Sequence, residues 1–448
     1  MLEWQKISAL LCVFGFFREM RPSEPYITEF LAGPWRNITE DQINRQVYPV
    51  GTYSYLAQLV IVFLITDLLL YKPLIITIGV TGIIVWSMLL WTTSLEALMT
   101  LEFFYGTYMA AEVAYYTYIY AKVDKKYYPR VTSHTRAAIF VGKLVASILA
   151  QLLINFEAMD YRDLNYISLA TQIIATLWAF SLPKVNQSLY FHRKAYATEV
   201  PALPQADSLE IGTHEGNSQK SDHFTSVSHI VEPKLSPTKL LWTHFRNAYT
   251  NLKVVQWSLW YAVGLCGYLQ VTAYVQLMWK DIEPSPDIAW NGAVDAVFTA
   301  LAAVCALVAG YIHAGRLTSQ ASLLLLAVLS ALEGGCILLI CWTQNIYVSY
   351  SGYIAFGALY GFIITVAGAE VARYLEEDSF GLVFGINTMI AVIFQTIITL
   401  VIIDENGLAL STKGQFTVYA FYFIVVGIVY FIAVVIEYFL RKIKKNQE

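Results

Sequence analysis

The chain has 448 residues, 57% of them hydrophobic and only 14% charged, with a mean hydropathy of +0.52. Soluble domains carry roughly 25% charged residues, so this composition excludes an ordinary soluble protein. A net charge of −4 and a pI near 6.0 leave no electrostatic footprint for nucleic acid.

Apolar runs of about twenty residues recur along nearly the whole chain, the signature of a polytopic helical membrane protein in contact with the lipid bilayer. The pattern predicts twelve spans, at 5–31, 48–70, 73–92, 96–121, 132–154, 164–182, 253–279, 289–312, 320–343, 347–373, 380–403 and 414–440. The first span acts as its own insertion signal, with no cleavable leader expected. The longest hydrophilic interval divides the chain into an N-terminal six-helix half (1–182), a cytoplasmic linker (183–252), a C-terminal six-helix half (253–440) and a basic tail (441–448). The linker holds Pro201, Pro204, Gly212, Gly216, Pro233 and Pro237 among polar residues, which predicts a largely disordered segment. Its last part, Thr238 to Tyr249, reads as a short surface helix.

Orientation follows from Lys and Arg. With the amino terminus inside, 21 of the 29 basic residues fall on the cytoplasmic side, including Lys122, Lys125, Lys126, Arg130 and the tail Arg441, Lys442, Lys444 and Lys445. Both termini are then cytoplasmic. Asn37-Ile-Thr39 lies in the first outer loop as a glycosylation acceptor, whereas Asn186-Gln-Ser188 is on the inner side and inert.

Charge placed at membrane depth marks the candidate site, because it is costly unless it meets a partner or a water-filled cavity. The stretch Phe14-Gly-Phe-Phe-Arg-Glu-Met-Arg-Pro-Ser-Glu-Pro-Tyr26 sets Arg18, Glu19, Arg21 and Glu24 inside the first span, with prolines flanking Glu24. Helical spacing puts Arg18, Arg21 and Glu24 on one face, so Arg21 and Glu24 can pair. Two readings stay open: a neutralised structural pair, or a substrate role for Glu24. In the fourth span Tyr105, Tyr108, Glu112, Tyr115 and Tyr116 follow one helical face. A carboxylate bordered by tyrosine rings suits a flat organic cation, and the competing reading is a packed stripe with Glu112 hydrogen-bonded into it.

In the second half Asn291 and Asp295 share a face at i,i+4, and Asn387 and Gln395 are polar positions of the eleventh span. Glu370 with Arg373 reads as a gating or interface salt bridge, and Lys143 as a partner for one of the buried acids. At depth Glu19, Glu24, Glu112, Asp295, Glu333 and Glu370 outnumber Arg18, Arg21 and Lys143, which favours a cation over an anion. Cys12, Cys266, Cys305, Cys336 and Cys341 all lie in apolar segments without metal-type spacing, so no metal, cofactor or disulfide is expected.

Six plus six spans around a long loop match the plan of the major facilitator superfamily, whose halves are structural repeats. Ala111-Glu-Val-Ala114 recurs as Ala369-Glu-Val-Ala372 in the equivalent span. Gly15-Phe-Phe with Arg21-Pro-Ser-Glu-Pro25, Thr52-Tyr-Ser-Tyr-Leu56, Glu102-Phe-Phe-Tyr-Gly106, Ala111-Glu-Val-Ala-Tyr-Tyr116, Asn165-Tyr-Ile-Ser-Leu169, Trp257-Ser-Leu-Trp260, Asn291-Gly292 and Leu382-Val-Phe-Gly-Ile-Asn-Thr388 go further. Together they resemble the reduced folate and thiamine carriers of animals, across essentially all twelve spans, with the thiamine branch the nearer.

That resemblance implies that Glu24, Tyr48, Glu112, Tyr115 and Asn291 line the substrate site, with Glu112 facing an aminopyrimidine. It also implies a basic residue at the place of Glu112, and a lysine at that of Gln395, in the folate branch. Gly51 stands where the thiamine carriers have Trp, Ala273 where they have Asn, and Ala369-Glu370 where they have Phe-Gln.

The expectation is therefore an alternating-access carrier in the plasma membrane for thiamine or a similar organic cation. A folate carrier is the alternative, and a non-transporting receptor or intramembrane enzyme the distant ones. The histidines gather in cytoplasmic loops, with His313 at a span end and no Ser-His or His-metal set at depth, which argues against an enzyme. No obligate protein partner is implied.

Overall fold

The computed structural model describes residues 2–185, 237–284, 289–312, 319–375 and 379–447. Most of the expected disordered linker, and Asn186, lie outside the described residues. Within them the chain is helical, with no strand.

The N-terminal portion comprises α1 (Glu3–Glu19), α2 (Ile27–Ala32), α3 (Glu40–Gln42), α4 (Tyr48–Thr66), α5 (Lys72–Trp91), α6 (Leu95–Ala110), α7 (Glu112–Lys122), α8 (Tyr128–Asn155) and α9 (Leu164–Ala179). After the linker come α10 (Pro237–Thr250), α11 (Leu252–Ile282), α12 (Asn291–Ile312), α13 (Ser319–Trp342), α14 (Ile346–Arg373), α15 (Phe380–Ile402) and α16 (Thr412–Gln447). The α10 helix occupies the stretch expected to form a surface helix, and its Trp242 is exposed.

Eight described helices are long and apolar enough to cross a membrane alone, among them Lys72–Trp91, Gln320–Trp342 and Phe380–Ile402. The other four expected spans are helical but fall short of that measure. The α1 and α9 helices have 17 and 16 residues, the fourth span is divided at Ala111, and α11 carries Lys253, Gln256, Gln270, Gln276, Lys280 and Asp281.

Two of the expected spans are interrupted, the first and, at Ala111, the fourth. The first breaks after Glu19, because Pro22 and Pro25 remove backbone donors and disfavour helix at the residues before them. The chain resumes as a 3-10 turn at Glu24–Tyr26 and then α2. The helix of the second span starts from a π-turn at Ile43–Val47.

Most of the packing joins helices that are not consecutive in the chain. In the first portion α1 lies against α8 and α9, α4 against α6, and α5 against α9 and α6. In the second, α13 packs on α16 and α14, α12 on α14, and α11 on α14 and α15. The two portions meet through α8 with α12 and through α4 with α15. Between them lies a cavity.

Candidate functional site

The break after α1 exposes backbone carbonyls at membrane depth, where each must find a donor. Side chains of α6 and α9 supply them. Tyr108 and Gln172 both donate to the Arg18 carbonyl, at 3.1 and 3.0 Å, and Thr171 donates to the Met20 carbonyl at 2.7 Å. Ser23 Oγ shares a hydrogen bond with Ser168 Oγ (2.9 Å) and accepts from Trp86 Nε1 (3.0 Å). The unwound segment is thus fixed from three helices.

This rigid segment carries a chain of alternating charge. Arg18 contacts Glu112 at 3.0 Å and Glu19 at 2.9 Å; Arg21 contacts Glu19 and Glu24, both at 2.7 Å. Both guanidinium groups lie over the Tyr108 ring, at 4.9 and 5.4 Å from its centre. Arg18 is only 1% exposed, so its two carboxylates compensate a charge that has lost its water.

Glu24, at the end of this chain, opens into a cavity of about 390 Å³. The first portion contributes Arg21, Glu24, Tyr48, Trp86, Glu102, Tyr105 and Lys143 to its wall. The second contributes Tyr268, Gln276, Trp279, Asn291, Asp295, Tyr353 and Gln395. Gln276 bridges the two portions by donating to the Glu24 carbonyl (2.9 Å) and accepting from the Thr28 amide (3.1 Å). Tyr48 shares a hydrogen bond with Thr28 at 2.9 Å, and Tyr350 donates to Asn291 Oδ1 at 3.2 Å. Across the cavity Asp295 accepts from Ser147 Oγ (2.7 Å) and faces Lys143 at 3.6 Å.

Glu102 is the exception among the charged lining residues. It makes no hydrogen bond or ion pair with any described residue, and the phenols of Tyr48, Tyr105 and Tyr274 lie within reach of its charge. Its carboxylate occupies the space beside Gly51, where even a Cβ would collide with Oε2. The wall therefore carries two bases, Arg21 and Lys143, against three acids, Glu24, Glu102 and Asp295. Each base already faces an acid, which leaves the formal surplus at Glu102.

Of the residues expected to line a site, Glu24, Tyr48, Asn291, Asp295 and Gln395 do so. Glu112 and Tyr115 do not. The break at Ala111 separates α6, which faces the cavity through Glu102 and Tyr105, from α7. Glu112 is held by Arg18, and the fully buried Tyr115 donates to the Leu11 carbonyl at 2.9 Å. The expected single tyrosine face is therefore split between cavity and core. The Arg21–Glu24 and Glu370–Arg373 pairs are present, the latter at 3.6 Å, and Lys143 takes Asp295 as its acid. Arg18 is paired as well, although α1 ends before Arg21 and no shared helical face is formed.

Asn37 is exposed, in a left-handed backbone conformation (φ 53°) that Asn tolerates. Tyr105, from the expected tyrosine face, lines the cavity. Sequence reasoning missed Glu102 and the aromatic wall of Tyr268, Trp279 and Tyr353. For Glu102 a signal existed, since Glu102, Tyr105 and Met109 sit at i, i+3 and i+7 and all line the cavity.

A protein-family model described as reduced folate carrier matches residues 2–418. The chain is 38% identical over 450 residues to thiamine transporter 1 of Homo sapiens and 37% over 443 residues to thiamine transporter 2 of the same species. Each alignment covers 95% of this chain and 88% of the relative. Identity to the reduced folate transporter of Homo sapiens is 33% over 432 residues, covering 95% of this chain and 71% of that one. Among solved structures, the POT family transporter PepTSo superimposes with a TM-score of 0.65 at 10% identity, over 97% of this chain and 98% of that one. The nucleoside transporter NupG gives 0.59 at 15% identity, over 96% and 98%. These likenesses identify the fold as that of the major facilitator superfamily.

Proposed function

Given that the chain belongs to the reduced folate carrier family and is a multi-pass membrane transporter, we propose that it carries thiamine or a closely related organic cation by alternating access. The observation that carries this choice is Glu102: a carboxylate in the cavity wall, ringed by phenols, with no cationic partner. A thiazolium ligand supplies the missing positive charge, and an aminopyrimidine supplies N–H donors that a carboxylate accepts. The rings of Tyr105, Trp86 and Tyr268 offer flat faces for stacking and cation–π attraction. A dianionic folate tail needs free bases, whereas Arg21 and Lys143 already face acids.

In this reading Glu24, Tyr48, Asn291, Asp295 and Gln395 bind alongside Glu102, while Arg18, Arg21 and Glu112 hold the broken helix. Lys280–Glu29 (2.8 Å), Arg45 to the Ala409 carbonyl (3.1 Å) and Gln415 to Asn44 (3.3 Å) join the two portions on the side that the basic-residue bias makes extracellular. Opening outward then requires these contacts to part. The six-plus-six division, a plasma-membrane location, cytoplasmic termini and glycosylation at Asn37 complete the reading. Transport needs no chemical step, cofactor, nucleic acid or obligate protein partner.

The test is uptake of radiolabelled thiamine into vesicles carrying the purified protein. Saturable uptake, displaced by unlabelled thiamine and not by folate, is the expected result. Folate uptake that thiamine does not displace overturns the choice of cation.

A further inference from the structure

Glu333 lies near the middle of α13, within the apolar stretch Gln320–Trp342, and is fully buried. Among the described residues neither carboxyl oxygen has a hydrogen-bond partner, and no base faces it. Apart from Glu102 in the cavity wall, the other acids at depth differ: Glu19, Glu24 and Glu112 meet arginines, Asp295 meets Lys143, and Glu370 meets Arg373. A dry carboxyl with no partner can be neutral only by holding a proton.

Its surroundings tie it to the cavity. The titratable groups near enough to feel its charge are Cys336 on its own helix and Tyr360 on α14. From α11, Trp260 is spent on Ser330, one turn away, at 2.9 Å; α16 brings the Ala420 carbonyl and Ile424 against neighbouring Gly334. Tyr360 stacks on Tyr268 with ring centres 4.1 Å apart, and Tyr268 lines the cavity within the field of Lys143 and Asp295. The ring nearest in electrostatic influence to the buried acid, Tyr360, is thus itself stacked on a ring of the cavity wall. The α13–α16 contact is built on small residues, with Gly427 against the Ala327 carbonyl and Ala331, a surface on which helices can shift without losing large knobs.

We propose that Glu333 is a proton-binding site whose occupancy is linked to the transport cycle. In the buried arrangement its carboxyl holds the proton. The carboxylate takes up a proton while water reaches it from one side and is buried as the neutral acid. When α13 moves against α16 and α14 and water enters from the other side, the O–H bond breaks and the proton leaves to that water. The return leg keeps the ionised carboxylate hydrated until the first side supplies the next proton, so one proton crosses per cycle with no other reactant. The proposal rests on transport alone and is indifferent to which vitamin is carried.

The test uses the full chain in vesicles with the membrane potential clamped by potassium and valinomycin, and radiolabelled thiamine or folate, whichever is taken up. One coupled proton makes a gradient of about one pH unit worth about tenfold in accumulation. The wild type is expected to approach this. Glu333→Gln, which copies the protonated form, is expected to lose the response while retaining exchange of internal for external substrate. Glu333→Asp, still an acid, is expected to restore part of it. A gradient response that survives Glu333→Gln, or a wild type with none, overturns the proposal. Should Glu333→Gln fail to fold, labelling of the wild type by dicyclohexylcarbodiimide decides, because that reagent attacks protonated carboxyls in apolar surroundings. Mass spectrometry should find the adduct at Glu333, with a yield that changes when substrate is cycling. Absent or substrate-insensitive labelling overturns it. Lack of thiamine uptake would sink the cation reading while leaving the labelling result intact.

Discussion

Replacing Glu102 by glutamine separates binding from folding cleanly. Glu102 makes no ion pair or hydrogen bond with the described residues, so Glu102→Gln removes no partner and keeps nearly the same volume beside Gly51. The neutral amide is also cheaper to bury, so expression and thermal stability should equal or exceed those of the wild type. The loss falls on the ligand. A charge-assisted hydrogen bond contributes about 1.5–3 kcal/mol, and a unit charge about 6 Å away at an effective dielectric constant of about 20 contributes about 3 kcal/mol. Each 1.4 kcal/mol is tenfold, so apparent affinity for thiamine should fall roughly ten- to hundredfold.

The assay is initial-rate uptake over a thiamine concentration series, normalised to surface protein, with melting in detergent as the folding control. Glu112→Gln is the informative contrast. It takes one of two carboxylates from the buried Arg18 guanidinium, so surface expression should drop before affinity does. A well-expressed Glu102→Gln carrier with wild-type affinity would refute the placement of the cation, and an affinity loss confined to Glu112→Gln would return the site to the fourth span's cytoplasmic half.

Reversing the inner pair, Arg21→Glu with Glu24→Arg, should recover part of the surface expression lost in either single variant, read by surface biotinylation. Full recovery is not expected, because Glu19 also holds Arg21 at 2.7 Å. Lys280→Glu should repel Glu29, favour the outward-open form and raise the access of thiol reagents to cysteines introduced in the cavity wall; adding Glu29→Lys should reverse this. Asn37→Gln should abolish the glycosidase-sensitive shift on gels, and a shift that persists would contradict the assigned orientation.

The helical membrane architecture was legible because lipid imposes a single rule: long apolar runs must be helices. The break in the first span was also legible, since Pro22 and Pro25 cannot continue a helix. The break at Ala111 was not. Nothing at Met109-Ala-Ala-Glu112 disfavours helix, and the three residues before Glu112 are good or neutral helix formers. The turn there coincides with a tertiary demand, the buried Arg18 that draws Glu112 toward α1. Tyr115, which the resemblance set in the site, is found in the core beyond this turn, as is Tyr108 before it, because each hydroxyl is spent on a carbonyl of α1.

Counting acids by depth favoured a cationic substrate without locating where the surplus charge is expressed. Depth makes a charge costly, but partners decide whether it remains free to act. Glu19, Glu24 and Glu112 are committed to two arginines, and Asp295 to Lys143, so these acids maintain the wall and can only shade the potential a ligand meets. Among the described residues Glu102 and Glu333 have no such commitment, and their settings differ: one lines the cavity, the other is fully buried in α13. In the proposed reading a carboxylate at the cavity wall is compensated by a bound cation, whereas one sealed in a helix interface is compensated by a proton. The same side chain would then act on affinity in one place and on the energetics of accumulation in the other. Substitutions at the two positions should accordingly move different measured quantities, and their effects on any one quantity should combine nearly independently, as expected for residues that share no partner.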